Sequence, residues 1–413
     1  MTNHQSKIEK LIAEICPDGV EFKELGELGN LYGGLTGKSK DDFSNGNAKF
    51  ITYMNIFSNI AVDTDVNIFV KMEPNEKQNR IQFSDVLFTG SSETPNECGM
   101  SSVLTKKTDE PLYLNSFCFG FRFHDTNLLL PEFSKYLFRD EQMRKQIAKT
   151  ASGVTRFNVS KKRFVKILIP LPPLPIQEEI VKILDNFTEL EAELEAELEA
   201  RNKQYEYYYL KLLTFDASIG QKKLNEVVDF RNGKGHEKHI DENGNYIVVN
   251  SRFVSKGGKV KKYSVNQISP VFKNDILMVM SDLPNGKALA KCFYVNEDDK
   301  YTLNQRICAL SVKNKDDLDS KFFYYVLNRN KQLLRYNNGV DQTNLRKDDI
   351  LKIQISIPPI KEQKKIVSIL DKFDALVNNI SIGLPAELKA HKQQYEYYKG
   401  KLLTFKEKTL IKK

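Results

Sequence analysis

Apolar positions recur at three- and four-residue spacing in two long stretches of this chain, and the two stretches share their wording. Ile176, Ile180, Ile183, Leu184, Phe187, Leu190, Leu194 and Leu198 mark one stripe. Ile360, Ile366, Ile369, Leu370, Phe373, Leu376, Ile380, Leu384 and Leu388 mark the other. Such spacing keeps one face of a helix apolar. No Gly or Pro interrupts residues 176–215, so the first helix is predicted to run about 40 residues and to reach roughly 60 Å. A helix of that length needs a partner along its side. Gly383 and Pro385 lie inside the second stripe and predict a kink or break there. Alternating apolar residues at 165–169 predict a short strand, and the prolines at 171–175 delay the helix until Pro175, which suits a first helical position.

The repetition extends beyond the stripes. Residues 165–190 reappear as 351–376, and Gly153, Val154 and Asn158 keep step with Gly339, Val340 and Asn344 at the same offset of 186. Further on, Gln204-Tyr205-Glu206-Tyr207-Tyr208 returns as Gln394-Tyr395-Glu396-Tyr397-Tyr398, where the offset is 190. Solenoid units run roughly 20–50 residues, so this period means two whole domains, each followed by the same helical element. Asp85-Val86-Leu87-Phe88 matches Asp275-Ile276-Leu277-Met278, and Leu114-Asn115 matches Leu303-Asn304, with free divergence between. The expected fold is mixed α/β. Two domains are separated by two long helices packed antiparallel as a coiled coil, in an internal pseudo-two-fold repeat. The boundaries read as an N-terminal segment at 1–20, a first domain at 21–169, a first spacer helix at 170–215, a second domain at 216–356 and a second spacer helix at 357–413. Two unrelated amphipathic helices, each packed on its own domain, are the simpler alternative.

Composition narrows the class. The net charge of +8 understates the basic character, because residues 188–199 concentrate six glutamates in three Thr/Ala-Glu-Leu-Glu units. Arg144, Lys145, Lys149, Arg156, Lys161, Lys162, Arg163 and Lys166 form one basic cluster, and Lys256, Lys259, Lys261 and Lys262 form another. Clusters like these suit a phosphate backbone, although a lysine-rich surface explains them equally well. Five scattered cysteines without a Cys-x-x-Cys pair argue against a disulfide framework and a zinc site, and fit a cytoplasmic protein. Neither a membrane span nor a signal-peptide core is legible.

Catalytic machinery is not legible either. The Pro-Pro pairs lack the polar residue before and the aromatic after that an amino-methyltransferase would use on its target base, and the glycine pairs lack phosphate-loop spacing. His236 and His239 stand three apart without a third ligand and read as surface histidines. The paired tyrosine clusters could stack on bases, but packing against a shared partner explains them more simply.

The run Pro172-Pro173-Leu174-x-x-Gln177-Glu178-x-Ile180-Val181-x-x-Leu184-Asp185, with Lys203-Gln204-Tyr205-Glu206-Tyr207-Tyr208 and Leu212-Leu213-Thr214-Phe215 downstream, resembles the conserved helical blocks of the specificity subunits of Type I restriction–modification enzymes. Both blocks occur twice, and Cys16-Pro17-Asp18-Gly19-Val20-Glu21 resembles the segment that opens the first domain in that family. The resemblance implies a non-catalytic subunit without a cofactor or metal of its own. Each domain would read one half of a bipartite site in double-stranded DNA. Two modification subunits, which would bind S-adenosylmethionine, would dock on the helices, and restriction subunits would join them. Polar side chains on loops that could face base edges are Ser91, Ser92, Glu93, Thr94, Asn96, Ser152, Thr155, Arg156 and Asn158 in the first domain. In the second they are Lys256, Lys261, Ser281, Asp282, Asn285, Lys287, Gln342, Thr343 and Asn344. Some of these would be ordinary turn residues. A stand-alone DNA methyltransferase or nuclease, and a protein scaffold with no DNA role, remain the alternatives.

The Glu-Leu units suggest a ruler. Each four-residue unit lengthens a helix by ~6 Å while returning its leucine to nearly the same face, and DNA rises ~3.4 Å per base pair. Deleting residues 196–199 should therefore keep both half-sites and shorten the spacer between them by about one or two base pairs. Sequencing of methylated sites checks this. An unchanged spacer would leave only the reading of a solvated acidic face.

Overall fold

The computed structural model describes residues 2–283, 286–378 and 382–408. It divides into two compact units, one of Met1–Glu195 with Glu387–Lys413 and the other of Ala196–Ala386.

The first unit is built on a four-stranded antiparallel sheet in the order Gly29–Gly33, Cys118–Phe123, Val86–Thr89, Ser101–Val103. Beside it lies a mixed sheet in which Ala48–Ile51 pairs antiparallel with Phe69–Val70 and parallel with Leu112–Leu114. The second unit repeats both. Val228–Asn232, Ile307–Val312, Ile276–Val279 and Cys292–Tyr294 form the four-stranded sheet in the same order. Tyr246–Val249 pairs with Tyr263–Ser264 and, in parallel, with Tyr301–Leu303. The central strands Val86–Thr89 and Ile276–Val279 are buried at every position, which accounts for their apolar wording, broken only by Thr89. The aspartate repeated before each is a buried anchor with different partners. Asp85 accepts from Tyr32 (2.6 Å) and from both Nε and Nη2 of Arg122 (2.8 and 2.7 Å). Asp275 accepts from Arg231 and from Ser311. A buried carboxylate needs such pairing, and either arrangement supplies it.

The predicted strand at 165–169 lies three residues later. Lys161–Phe164 forms a helical turn closed by Val165, and the strand is Leu168–Leu171, paired antiparallel with Glu21–Glu24. Its counterpart Gln354–Ser356 pairs with Gln221–Lys223. The first long helix then runs 39 residues, Leu174–Leu212. The second stripe is broken as expected: one helix covers Ile360–Val377 and the next Leu384–Leu402. Pro385 is the second residue of the latter helix, so it opens a helix rather than bending one.

Helices pair antiparallel within each unit. In the first, Phe187 meets the rings of His391, Tyr395 and Tyr398, while Lys392 reaches Glu191 (3.3 Å) and Glu195 (2.8 Å). In the second, Tyr205 and Tyr208 pack on Phe373, and the Tyr209 hydroxyl donates to the Tyr325 carbonyl. Most of the tyrosines are thus consumed inside the chain, and Tyr207 (59% exposed) and Tyr397 (65%) are the ones left outside. On the Glu-Leu run, Leu194 is buried and Leu198 half-buried, but Leu190 is 41% exposed, so the seam is narrower than the leucine spacing suggests. His236 is fully buried, bonded to the Lys234 carbonyl and the Thr302 hydroxyl, and is no surface residue. Among the described residues no helix is long and apolar enough to cross a membrane.

One side chain joins each helix start to its domain. Gln177 is buried; its Oε1 accepts from the Leu130 amide (2.8 Å), and its Nε2 donates to the Leu128 and Pro172 carbonyls (3.0 and 2.7 Å). Gln363 repeats this with the Asp319 amide (2.8 Å) and the Asp317 and Pro358 carbonyls (2.8 and 2.7 Å). Gln363→Leu strands an amide and two carbonyls at roughly 1–3 kcal/mol each and should clearly lower the urea midpoint. Glu362→Leu, at the exposed neighbouring position, should stay within ~0.5 kcal/mol of the parent.

Candidate nucleic-acid interface

The candidate residues of the first domain converge on a small antiparallel sheet. Ser91–Ser92 pairs with Phe157–Val159, which pairs in turn with Ala151–Ser152, so that Ser91 faces Asn158 and Asn158 faces Ser152. The hairpin turns at Gly153, whose φ of +147° and lack of a Cβ let the Arg156 carbonyl approach. Arg156 Nε donates to the buried Ser91 hydroxyl (3.0 Å), and its guanidinium lies 5.5 Å over the ring of Phe117. Ser91, Ser92, Glu93, Thr155 and Arg156 line a cleft of ≈ 560 Å³ together with Tyr53, Met54, Phe57 and Phe117. Phe117 and Met54 are each 60% exposed, and the Tyr53 hydroxyl donates to the Ser91 carbonyl (2.9 Å). Thr94 and Ser92 both donate to the Glu97 carboxylate (2.9 and 3.3 Å), which orders the loop between them. Asn96 stands exposed on that loop.

The second domain reproduces the core of this arrangement. Ser281–Asp282 pairs with Thr343–Asn344, placing Ser281 opposite Asn344, and Gln342 Nε2 donates to the Ser281 hydroxyl (2.7 Å). Lys256, Lys261 and Lys287 are exposed. Two candidates are otherwise engaged. Asp282 accepts from the amides of Leu283, Ala288 and Leu289, with Gly286 packed against its carboxylate. Thr343 is buried. Asn285 lies outside the described residues.

The basic cluster at 144–166 is also partly structural. Arg144 donates to the carbonyls of Gly99, Asn96 (2.9 Å) and Cys98 (2.7 Å), and Arg163 donates to those of Lys149 (3.3 Å), Thr150 (2.8 Å) and Ala151 (3.3 Å). Arg139 likewise holds the Ile56, Phe57, Asn59 and Ser101 carbonyls. Burial pushes Arg139 and Arg144 down to about 10, so both stay charged at neutral pH. Lys149, Lys162 and Lys166 remain exposed. Tyr53, Met54, Phe57 and Phe117 were not legible as site residues, because apolar side chains in a sequence read as core. The available signal was the Leu114-Asn115 match with Leu303-Asn304, which stops two residues short of Phe117.

Arg144 positions the loop that carries Glu93, Thr94 and Asn96. Arg144→Met should leave three carbonyls short of a donor, at a cost of roughly 1–3 kcal/mol, and speed amide exchange across residues 93–99. Lys145→Met, which removes an exposed pair with Glu141, should leave both exchange and stability within ~0.5 kcal/mol of the parent.

The family described as the Type I restriction modification DNA specificity domain matches residues 17–200 and again 219–390. A Haemophilus influenzae protein described as a type I restriction enzyme specificity subunit is 34% identical over 271 residues, 62% of this chain and 68% of that protein. The specificity subunit of an Escherichia coli type I restriction enzyme is 33% identical over 270 residues, 58% of this chain and 63% of its own. In fold, the S subunit from M. genitalium matches over 93% of this chain and 96% of its own with a TM-score of 0.51 at 17% identity. A chain from a type I system studied for complex assembly and conformational transition matches over 93% and 97% with a TM-score of 0.60 at 16% identity. Two family matches, one on each copy of the repeat, coincide with two copies of one sheet topology. The chain belongs to the Type I restriction–modification DNA specificity family, whose members supply DNA sequence recognition.

Proposed function

We propose that each domain reads one half of a bipartite site in double-stranded DNA, and that the chain itself carries out no chemistry. The observation that carries this is the duplicated platform: Ser91 opposite Asn158 and Ser281 opposite Asn344, each with a long polar side chain held to the serine. A repeated rigid strand pair bearing different loops is suited to reading two different half-sites. Base-edge readout requires donors and acceptors held in register, and exposed lysines nearby serve the phosphates.

The helices are proposed to dock two modification subunits, which bring S-adenosylmethionine, with restriction subunits joining that complex. Tyr207 and Tyr397 support a paired arrangement. They stand exposed at equivalent positions, each meeting its neighbouring tyrosine at 5.3 Å and 76°. Two matched aromatic surfaces suit two copies of one partner.

Co-expression with a modification subunit should give a complex of one copy of this chain with two of the partner, and that complex should methylate a split site. Exchanging residues 21–165 for the equivalent domain of another such subunit should change one half-site only. A change in both halves would end the modular reading, and methyl transfer by the isolated chain would end the non-catalytic one.

A further inference from the structure

Superposing the two domains by their hydrogen-bond pattern pairs residues at three positions of the candidate interface. The Gly90 amide bonds to the Phe117 carbonyl (2.8 Å), and the Met280 amide bonds to the Arg306 carbonyl (3.0 Å). In the same turns the Cys118 amide reaches the Asn115 carbonyl, and the Ile307 amide the Asn304 carbonyl, both at 3.0 Å. Phe117 and Arg306 therefore occupy one scaffold position. A second pair follows from two short helices. Thr52 caps Tyr53–Ser58 through the Asn55 amide, and Asn250 caps Ser251–Ser255 through the Phe253 amide. The second residue of each helix is Met54 in the first domain and Arg252 in the second. The third pair is Arg156 and Gln342, which make the same bond to Ser91 and Ser281.

At these shared positions the two domains present different chemistry. The first offers two apolar side chains, each 60% exposed, around the cleft beside Arg156. The second offers two exposed arginines, and among the described residues neither Arg252 nor Arg306 makes an ion pair or a side-chain hydrogen bond. An exposed, unpaired arginine at a reading surface presents a planar fork that matches the O6 and N7 acceptors of guanine. Exposed Phe and Met at the same place can make only apolar contact, which in the major groove means the thymine methyl group.

We propose that these three paired positions determine specificity, with Arg252 and Arg306 reading guanine in one half-site and Met54 and Phe117 reading thymine methyl groups in the other. The proposal rests on the reading of the chain as a bipartite DNA-recognition subunit and adds which side chains and which bases carry it. Arg156 and Gln342, fixed through a buried serine, supply the polar contact common to both.

The test uses the complete chain with its modification subunits. Methylated sites are sequenced in a host carrying the parent, Arg306→Lys, Arg252→Lys, Phe117→Ala or Met54→Ala. The same purified complexes are titrated against a panel of duplexes in which each base pair of the parent's site is changed in turn, so that a variant too weak to methylate still gives a result. Lysine keeps the positive charge but lacks the fork. Arg306→Lys and Arg252→Lys should therefore lose discrimination for guanine by on the order of ten- to a hundredfold at positions of one half-site, leaving the other untouched. Phe117→Ala and Met54→Ala should relax a thymine in the other half-site alone. A uniform loss of binding across the panel, with the recognised sequence unchanged, would make these side chains backbone contacts and overturn the inference while sparing the proposed function. The same methylated sites in a host lacking this chain would remove both.

Discussion

A helix that starts from a proline-rich turn brings unpaired amides and carbonyls to the place where it must be buried against its domain. In this chain a single glutamine resolves the conflict twice. Gln177 and Gln363 each accept one amide and donate to two carbonyls, one from the turn before the helix and one from the domain. A carboxamide suits this because one side chain carries an acceptor oxygen together with two N–H donors. Two turns further along, Asp185 takes the Lys135 ammonium (2.8 Å) and the Tyr136 hydroxyl (2.6 Å), and Asp371 takes Lys321 (2.8 Å) and Tyr325 (2.5 Å). Burial and the bond to the carboxylate together raise both tyrosines well above the ordinary range, so these hydroxyls remain donors at any physiological pH. The direction in which each helix leaves its own domain is fixed by the same few polar bonds.

That constraint leaves the domain interiors free to diverge as long as charges are neutralised. Asp85 and Asp275 stand at one scaffold position with Tyr32 and Arg122 around the first and Arg231 and Ser311 around the second. The guanidinium comes from the strand on one side in the first domain and from a different strand in the second. What is retained is a compensated buried carboxylate, and the residue that compensates it is exchangeable.

The elements legible in the sequence are those fixed by local periodicity. The long helix, the break before Leu384 and the duplication follow from apolar spacing, from Gly383 and Pro385, and from repeated words. The site was legible only in part, because a polar residue in a loop gives no sign of whether its atoms are already used. Asp282 and Arg144 read like reading or phosphate-binding groups, yet their polar atoms are committed to backbone partners. Arg156 and Gln342 lie beside the repeated Gly-Val and Asn positions, and Ser91 and Ser281 each follow shortly after the repeated words that open at Asp85 and Asp275. Phe117 and Met54 were not legible, because they are brought to one cleft by strand pairings between residues far apart in the chain. His236 fails for the converse reason: nothing local announces that Thr302 will cover it.

The bond shared by Arg156 and Gln342 shows how such a surface can vary without refolding. Ser91 and Ser281 are buried, so each hydroxyl must find a partner. The hairpin opposite supplies one from a side chain long enough to reach it, arginine in one domain and glutamine in the other. Strand pairing holds the serine in place in both cases, and the donor residue is itself exposed, with Gln342 Nε2 also reaching Asn344 Oδ1 (3.4 Å). A change from guanidinium to carboxamide therefore alters the donors and acceptors on display while the anchoring bond and the strands beneath it stay the same. A scaffold that separates anchoring from display in this way tolerates new chemistry at its outer atoms.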